Sequence, residues 1–376
     1  MRVLVAPDKF KGTLTAAEVA EAIARGLADE GIESRVLPLA DGGDGSVAAA
    51  LSAGFTAHRV EVQDAEGHTH EATFASNADT AVVEVANTSG LATLTGGLAP
   101  MTSSTYGFGQ AILAARDAGC TRLVLALGGS ASTDGGAGML AALGVRFHDE
   151  HGRLVAPSAA TLNQITRTDS TALADLSGIE LVIAGDVTNP LLGPEGAAAV
   201  FGPQKGLAPD QVAVLNHDLA TFIRLLPELH GHNPHSLSIE PGAGAAGGLG
   251  FACRWLGGTR VPGADFFLDL LSFDDVLATC DVVITGEGSI DRQTLNGKLP
   301  AVVTHRSSPR PVHAVVGISF LEPADQTDLG LSSVHSLAEM TELDTRSDPA
   351  LSLTLAAMAG QRIGRQLHAS SAPTSR

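Results

Sequence analysis

Short apolar runs that end on glycine or a charged residue punctuate this chain. Residues 3–6, Val3-Leu4-Val5-Ala6, read as a buried strand that stops at Pro7 and Asp8. Thr15 and Glu18 then stand at capping-box spacing, and Val19, Ile23 and Leu27 repeat on one face, predicting a helix that Gly31 closes. A second strand over 34–39 runs into Ala40-Asp41-Gly42-Gly43-Asp44-Gly45 and another helix. Strand, helix, strand and helix in succession are the opening of a parallel sheet.

From about residue 59 to residue 86 the pattern shifts to short alternating runs broken by Asp64, Gly67 and Asn77, predicting antiparallel strands. Further on, the periodicity predicts helices over 107–119, 136–143, 209–226 and 350–367, and strands over 122–127, 181–184, 282–285 and 312–316. No internal repeat is visible. The fold class is α/β with two α/β domains. A parallel-sheet, Rossmann-like domain takes both chain ends, residues 1–58 and 262–376, and a mixed α/β domain, residues 59–261, is inserted between them. The active site is expected in the cleft between the two. The tail 368–376, rich in Ser, Thr, Ala and Pro, is expected to fray.

Composition narrows the function classes. The chain has 376 residues, 44% hydrophobic and 17% charged, so a large core is available. The net charge of −18 opposes nucleic acid and anionic membrane as partners. The apolar start is too short for a signal peptide, and no stretch reads as a membrane span. Cys120, Cys253 and Cys280 lack metal or disulfide spacing and are expected to be buried; the protein is expected in the cytoplasm. His230, His232 and His235 cluster in a loop without a carboxylate or cysteine and do not read as a metal site.

Only four of the 23 basic residues are lysines, and all four lie in glycine-bordered segments. They are Lys9 and Lys11 before Gly12, Lys205 before Gly206, and Lys298 after Gly297. A compact ammonium suits phosphate or carboxylate as a point charge. The segment 128–138, Gly-Gly-Ser-Ala-Ser-Thr-Asp-Gly-Gly-Ala-Gly, lies between a predicted strand and helix. Its glycines allow backbone N–H groups close to an anion, Ser130, Ser132 and Thr133 add donors, and the helix amino end adds a favourable dipole; a flexible turn is the plainer reading. It is neither a Walker A loop nor a dinucleotide fingerprint. Asp41 and Asp44 on their glycine turn suggest metal or hydroxyl binding, with helix capping by Asp44 as the alternative. Asp186 projects from a strand end, either as a base or metal ligand or simply closing a turn on its own backbone. Glu287 and Asp291 follow another strand, with Lys298 beyond. Residues 241–250, rich in glycine, suit close approach to a ligand or to another helix.

These segments, in this order, resemble the type I glycerate kinase family, the glycerate 2-kinases. The resemblance rests on Ala6-Pro-Asp-Lys-Phe-Lys-Gly12, Ala40-Asp-Gly-Gly-Asp-Gly45, Thr88-Ser-Gly-Leu91, Gly128-Gly-Ser-Ala131 with Asp134-Gly-Gly-Ala-Gly-Met139, Asp186-Val-Thr-Asn-Pro-Leu191, Phe201-Gly-Pro-Gln-Lys-Gly206, Pro241-Gly-Ala-Gly-Ala-Ala-Gly-Gly248 and Ile284-Thr-Gly-Glu-Gly288. It implies ATP with Mg²⁺ as donor, D-glycerate as acceptor and 2-phosphoglycerate as product, with 3-phosphoglycerate as the lesser alternative. Ser289 stands where the family carries arginine, and Arg292 is expected to compensate near Glu287. Asn87 and Thr88 replace small alanines, which is expected to alter the acceptor pocket.

The implied catalytic set is Asp186 as base with Lys11, Lys205 and Asp291. Substrate and phosphate contacts are expected from Asp8, Asp41, Gly42, Gly43, Ser89, Gly128, Gly129, Ser130, Asp134, Asn189, Gln204, Gly286, Glu287 and Lys298. Asp41, Asp186 and Glu287 are the metal candidates. Small molecules are the expected partners, and a homodimer is allowed but not specified. The competing classes are an NAD(P)-dependent hydroxy-acid reductase, which lacks its fingerprint here, and a non-catalytic sugar-acid sensor.

Overall fold

The structure, a computed structural model, describes residues 1–371; the side chains of Gln293, Asn296 and Ser371 are outside the description, as is the end of the tail expected to fray. The chain forms two compact units, one comprising Met1–Asp41, Ala48–Ala53 and the chain from Gly263 onward, the other Gly42–Val47 and Gly54–Pro262.

The first unit is built on a five-stranded sheet in the order Ser333–Ser336, Val312–Val316, Val282–Gly286, Arg2–Pro7, Glu33–Val36. Every pairing in it is parallel. The predicted capping box forms: Thr15 N–H donates to Glu18 at 2.8 Å, and Glu18 N–H donates to the Thr15 hydroxyl at 3.2 Å. The helix Ala16–Asp29 buries Val19, Ile23 and Leu27 with Val3, Val5, Ile284 and Val315 of the sheet. Leu355, Ala356, Ala359 and Ile363 of the helix Pro349–Ser371 complete that core. Strands buried on both faces explain why 3–6 reads as a continuous apolar run and 312–316 as one broken only by His313.

The second unit carries a six-stranded sheet in the order Thr259–Val261, Glu180–Ala184, Arg122–Ala126, Thr80–Glu84, Thr69–Asn77, Thr56–Gln63. The last two strands form the expected antiparallel hairpin, and Thr80–Glu84 joins it antiparallel on one side. On its other side Thr80–Glu84 runs parallel to Arg122–Ala126, which the alternating pattern alone did not show. Glu84 pairs with Ala126 and Ala126 with Ala184, so these three strands end level. All three cysteines are buried and free, as their spacing predicts. Among the described residues no helix is long and apolar enough to cross a membrane.

Candidate active-site elements

Level strand ends in the second unit bring their following loops together. Glu84, only 4% exposed, is the anchor that sequence reasoning missed; its one signal is an acid closing an otherwise apolar strand. Its carboxylate accepts from Gly45 N–H at 3.1 Å and Val47 N–H at 2.9 Å, fixing the Asp-Gly-Gly-Asp-Gly loop. Leu127 N–H donates to Gly42 O at 3.0 Å, so that loop lies against residues 128–129. Contact there is so close that a Cβ on Gly128 would stand 2.5 Å from Gly43 Cα. Ser89 and Gly90 edge the same loop: Ala131 N–H donates to Ser89 O, and Leu91 N–H to Gly129 O. Ser89 itself is buried, and its hydroxyl has no partner among the described residues.

The two halves of the 128–138 loop differ. Asp134 is fully buried, and its carboxylate accepts from Thr105 N–H and Oγ1–H, Gly136 N–H and Gly138 N–H at 2.8–3.1 Å. Burial pushes the Asp134 acid up, against those four donors. Met139 N–H donates to the Thr105 hydroxyl at 2.8 Å, and Gly135 N–H to Gly247 O at 3.0 Å. The helix Ala137–Ala142 therefore has its amino end capped from inside. The expectation that this helix end draws in an anion is corrected: its amides already have internal acceptors. In the first half, Gly128, Gly129, Ser130, Ser132 and Thr133 have backbone N–H groups with no protein acceptor among the described residues. The hydroxyls of Ser132 and Thr133, both buried, also lack a partner there.

Lys205 is buried at 3% exposure, on a short 3-10 turn Pro203–Lys205. Its ammonium donates to Ser130 Oγ at 2.8 Å and to Ser132 O at 2.5 Å. Burial lowers it to about 7, with the charge of Asp134 opposing. Two glycines of 241–250 approach the 128–138 loop: a Cβ on Gly247 would lie 2.2 Å from Ser132 O, and one on Gly248 2.5 Å from Gly135 Cα. Asp186 and Gln204 are exposed. Asn189 donates through Nδ2 to Glu195 O at 2.9 Å. Asn87 turns to the hairpin, donating to Thr73 O, and the Thr88 hydroxyl donates back to Glu84 O and Val85 O. Asn87 Oδ1 is buried and has no partner among the described residues.

The first unit gathers the other candidates, also at strand ends. Pro7 pairs with Gly286, and Asp8 N–H donates to Gly286 O at 2.8 Å. Asp8 accepts from Lys9 N–H at 2.7 Å, and the Lys9 ammonium lies 3.6 Å away. Burial pushes Asp8 up to about 7; Lys9 opposes, while the charges of Asp41 and Glu287 add to the rise. Burial also raises Glu287 to about 7, opposed by Thr294 and Lys298 and helped by Asp291 and Asp41. Thr294 Oγ1–H donates to Glu287 at 2.9 Å, and Lys298 lies 3.6 Å from Asp291. Arg292 instead pairs with Asp325 at 3.3 Å, and the cation whose charge acts on Glu287 is Lys298. Lys11 is exposed, and its backbone N would stand 3.1 Å from a Cβ on Gly288. Asp8, Asp41 and Glu287 thus belong to one unit and Asp186 to the other.

A sequence profile of the Glycerate kinase family matches residues 3–364. A "Glycerate kinase" of Bacillus subtilis (strain 168) is 40% identical over 329 residues, covering 85% of each chain. A "Glycerate 2-kinase" of Escherichia coli (strain K12) is 35% identical over 328 residues, 84% of this chain and 85% of that one. The crystal structure of a "putative glycerate kinase 2" from Salmonella typhimurium LT2 superposes with a TM-score of 0.79 at 34% identity, covering 98% of this chain and 99% of that one.

Proposed function

This chain belongs to the glycerate kinase family, and from that premise we propose that it moves the γ-phosphoryl group of ATP to the 2-hydroxyl of D-glycerate, releasing ADP and 2-phosphoglycerate. It is a phosphotransferase with an alcohol acceptor. The observation that carries the proposal is the half-loop 128–133, where the amides of Gly128, Gly129, Ser130, Ser132 and Thr133 and the buried hydroxyls of Ser132 and Thr133 have no protein acceptor among the described residues. Such a run of fixed donors suits the oxygens of a phosphoryl or carboxylate group.

Phosphoryl transfer asks a protein for positioning and charge neutralisation more than covalent chemistry. The amides of Gly128, Gly129, Ser130, Ser132 and Thr133 hold one anion of the reaction. Lys11 and Lys298 neutralise phosphate or carboxylate charge. Asp186 takes the proton of the attacking hydroxyl. Asp41 and Glu287, with Asp8 beside them, are the proposed Mg²⁺ ligands of the first unit. The donor set fits: mutual repulsion among Asp8, Asp41 and Glu287 is what a hard divalent cation relieves. When bound, the ion neutralises charge that develops on the phosphates. The reading places the enzyme in the cytoplasm, where its donor ATP is supplied.

A coupled ADP-release assay with D-glycerate tests the activity, and phosphorus NMR of the product identifies the phosphorylated carbon. Silence in that assay, or phosphate on carbon 3, overturns the corresponding part. Asp186→Asn is expected to lower kcat by about 10²–10⁴, the usual range for a lost general base, and a loss below about tenfold rejects Asp186 as base.

A further inference from the structure

We infer that Lys205 is a positioning residue for phosphoryl transfer: sealed beneath the glycine-rich loop, it shapes residues 128–133 through Ser130 and Ser132 and does not meet the reacting groups. This rests on the proposal that the half-loop binds an anion of the reaction. Lys205 is the one lysine of the four that is buried. Two of its three N–H donors go to the loop, one to the side chain of Ser130 and one to the backbone of Ser132. At 3% exposure, with two donors already on the loop, the Lys205 ammonium is turned to the loop and away from solvent.

The direction of each bond matters. Ser130 Oγ accepts from the ammonium, so the Ser130 hydroxyl proton is left to donate away from the lysine. A hydroxyl polarised in this way is a stronger donor than a free one. Holding Ser132 O by the same ammonium pins the peptide plane between Ser132 and Thr133, and with it the direction of the Thr133 N–H. Asp134, on the sealed side, faces Lys205 with opposite charge and is itself tied to Thr105. The chain thus supports its anion loop from below by one cation bonded at two points. Sequence alone could not separate this role from direct phosphate contact, because both ask for a lysine between glycines.

A double-mutant cycle on the full chain tests the inference. Lys205→Met and Ser130→Ala are each expected to lower kcat per folded molecule, by about a hundredfold and about tenfold, in the range seen when preorganised donors are lost. The double variant is expected to be within about threefold of Lys205→Met, because the second change removes a group whose partner has gone. Fully multiplicative losses mean that the two residues act separately, and they overturn the inference. Gly129→Ala checks the underlying proposal: at φ +79 a side chain strains the loop. Unchanged kcat and KM in Gly129→Ala reject the anion role itself, whereas a crippled Gly129→Ala with a multiplicative cycle rejects only the role of Lys205. If Lys205→Met does not fold, acylation of the unaltered protein with acetic anhydride decides, since four lysines give a clean peptide map. Slow acylation of Lys205 that ATP and D-glycerate do not change supports the inference; acylation as fast as that of Lys11, and blocked by either ligand, overturns it.

Discussion

Asp134 and Thr105 are joined twice, the same carboxylate oxygen accepting the Thr105 N–H at 2.9 Å and its hydroxyl at 2.8 Å. Because Met139 N–H donates to that hydroxyl in turn, Thr105 links the buried acid to the helix Ala137–Ala142. Thr105→Val keeps the shape and the N–H bond to Asp134 but removes the hydroxyl, so Met139 N–H loses its acceptor and Asp134 one of its four donors. A buried group left without a partner costs about 1–3 kcal/mol. The urea midpoint is therefore expected to fall clearly in Thr105→Val, and more in Asp134→Ala, which strands four donors. An unchanged midpoint in both variants sinks this account of the loop.

Gly128 has an ordinary backbone conformation, so its requirement is purely one of space. An added Cβ meets Gly43 Cα at 2.5 Å and Asp44 N at 2.9 Å, both backbone atoms that cannot swing aside. Gly128→Ala has to part the 42–45 loop from the 128–133 half-loop. Overpacking of this kind costs about 1–3 kcal/mol. The expected kinetic result is a fall in kcat/KM of at least about tenfold, since small misplacements near reacting groups are expensive. Steady-state kinetics with D-glycerate and ATP decide, and wild-type values would mean the two loops need not touch.

How far the sequence could be read depended on whether a residue's environment follows from its neighbours in the chain. Val312–Val316 was legible because both faces are buried and the run is apolar but for His313. Ser333–Ser336, its neighbour in the sheet, was not, because an edge strand of Ser-Val-His-Ser carries no hydrophobic period. The loops at strand ends were visible from glycine and charge, yet the division of 128–138 into a capped half and an open half was not. That division depends on Thr105 and Gly247, which are distant in sequence. Arg292 shows the same limit: it stands next to Asp291, but its partner is Asp325.

Asp8 sets a requirement of function against stability. An acid raised by burial to about 7 from 3.8 binds more protons folded than unfolded, so its contribution to stability declines as pH rises from 4 to 7 and stays low above that. Asp8→Asn removes the ionisation penalty. The variant is expected to unfold at a temperature several degrees above wild type at pH 8, with the gap closing at pH 4, while losing phosphoryl transfer. Thermal unfolding at both pH values is the check. A variant less stable than wild type at pH 8 contradicts a buried, repelled carboxylate.

His313 has the opposite sign in an overlapping window. Burial lowers it from 6.5 to about 4, and the charge of His335 adds to the fall. Its Nδ1 meets Ser333 Oγ at 2.8 Å, Ser333 Oγ meets His335 Nε2 at 3.0 Å, and His335 faces Arg362 and Gln366. A proton on His313 therefore enters a buried place beside a second imidazole, and one on His335 lies near the Arg362 guanidinium. Unfolded chains take up that proton near pH 6.5 and the folded protein only near 4, so stability is whole above 6.5 and declines as pH falls between the two values. Asp8 and Glu287 work the other way over part of this range, so the wild-type profile alone mixes the effects. The difference between His313→Gln and wild type isolates one of them: the variant is expected to lose stability at pH 7.5 but to show a shallower decline from pH 6.5 to 4.5. Urea midpoints across that range measure it, and parallel profiles would mean that His313 does not titrate differently on folding.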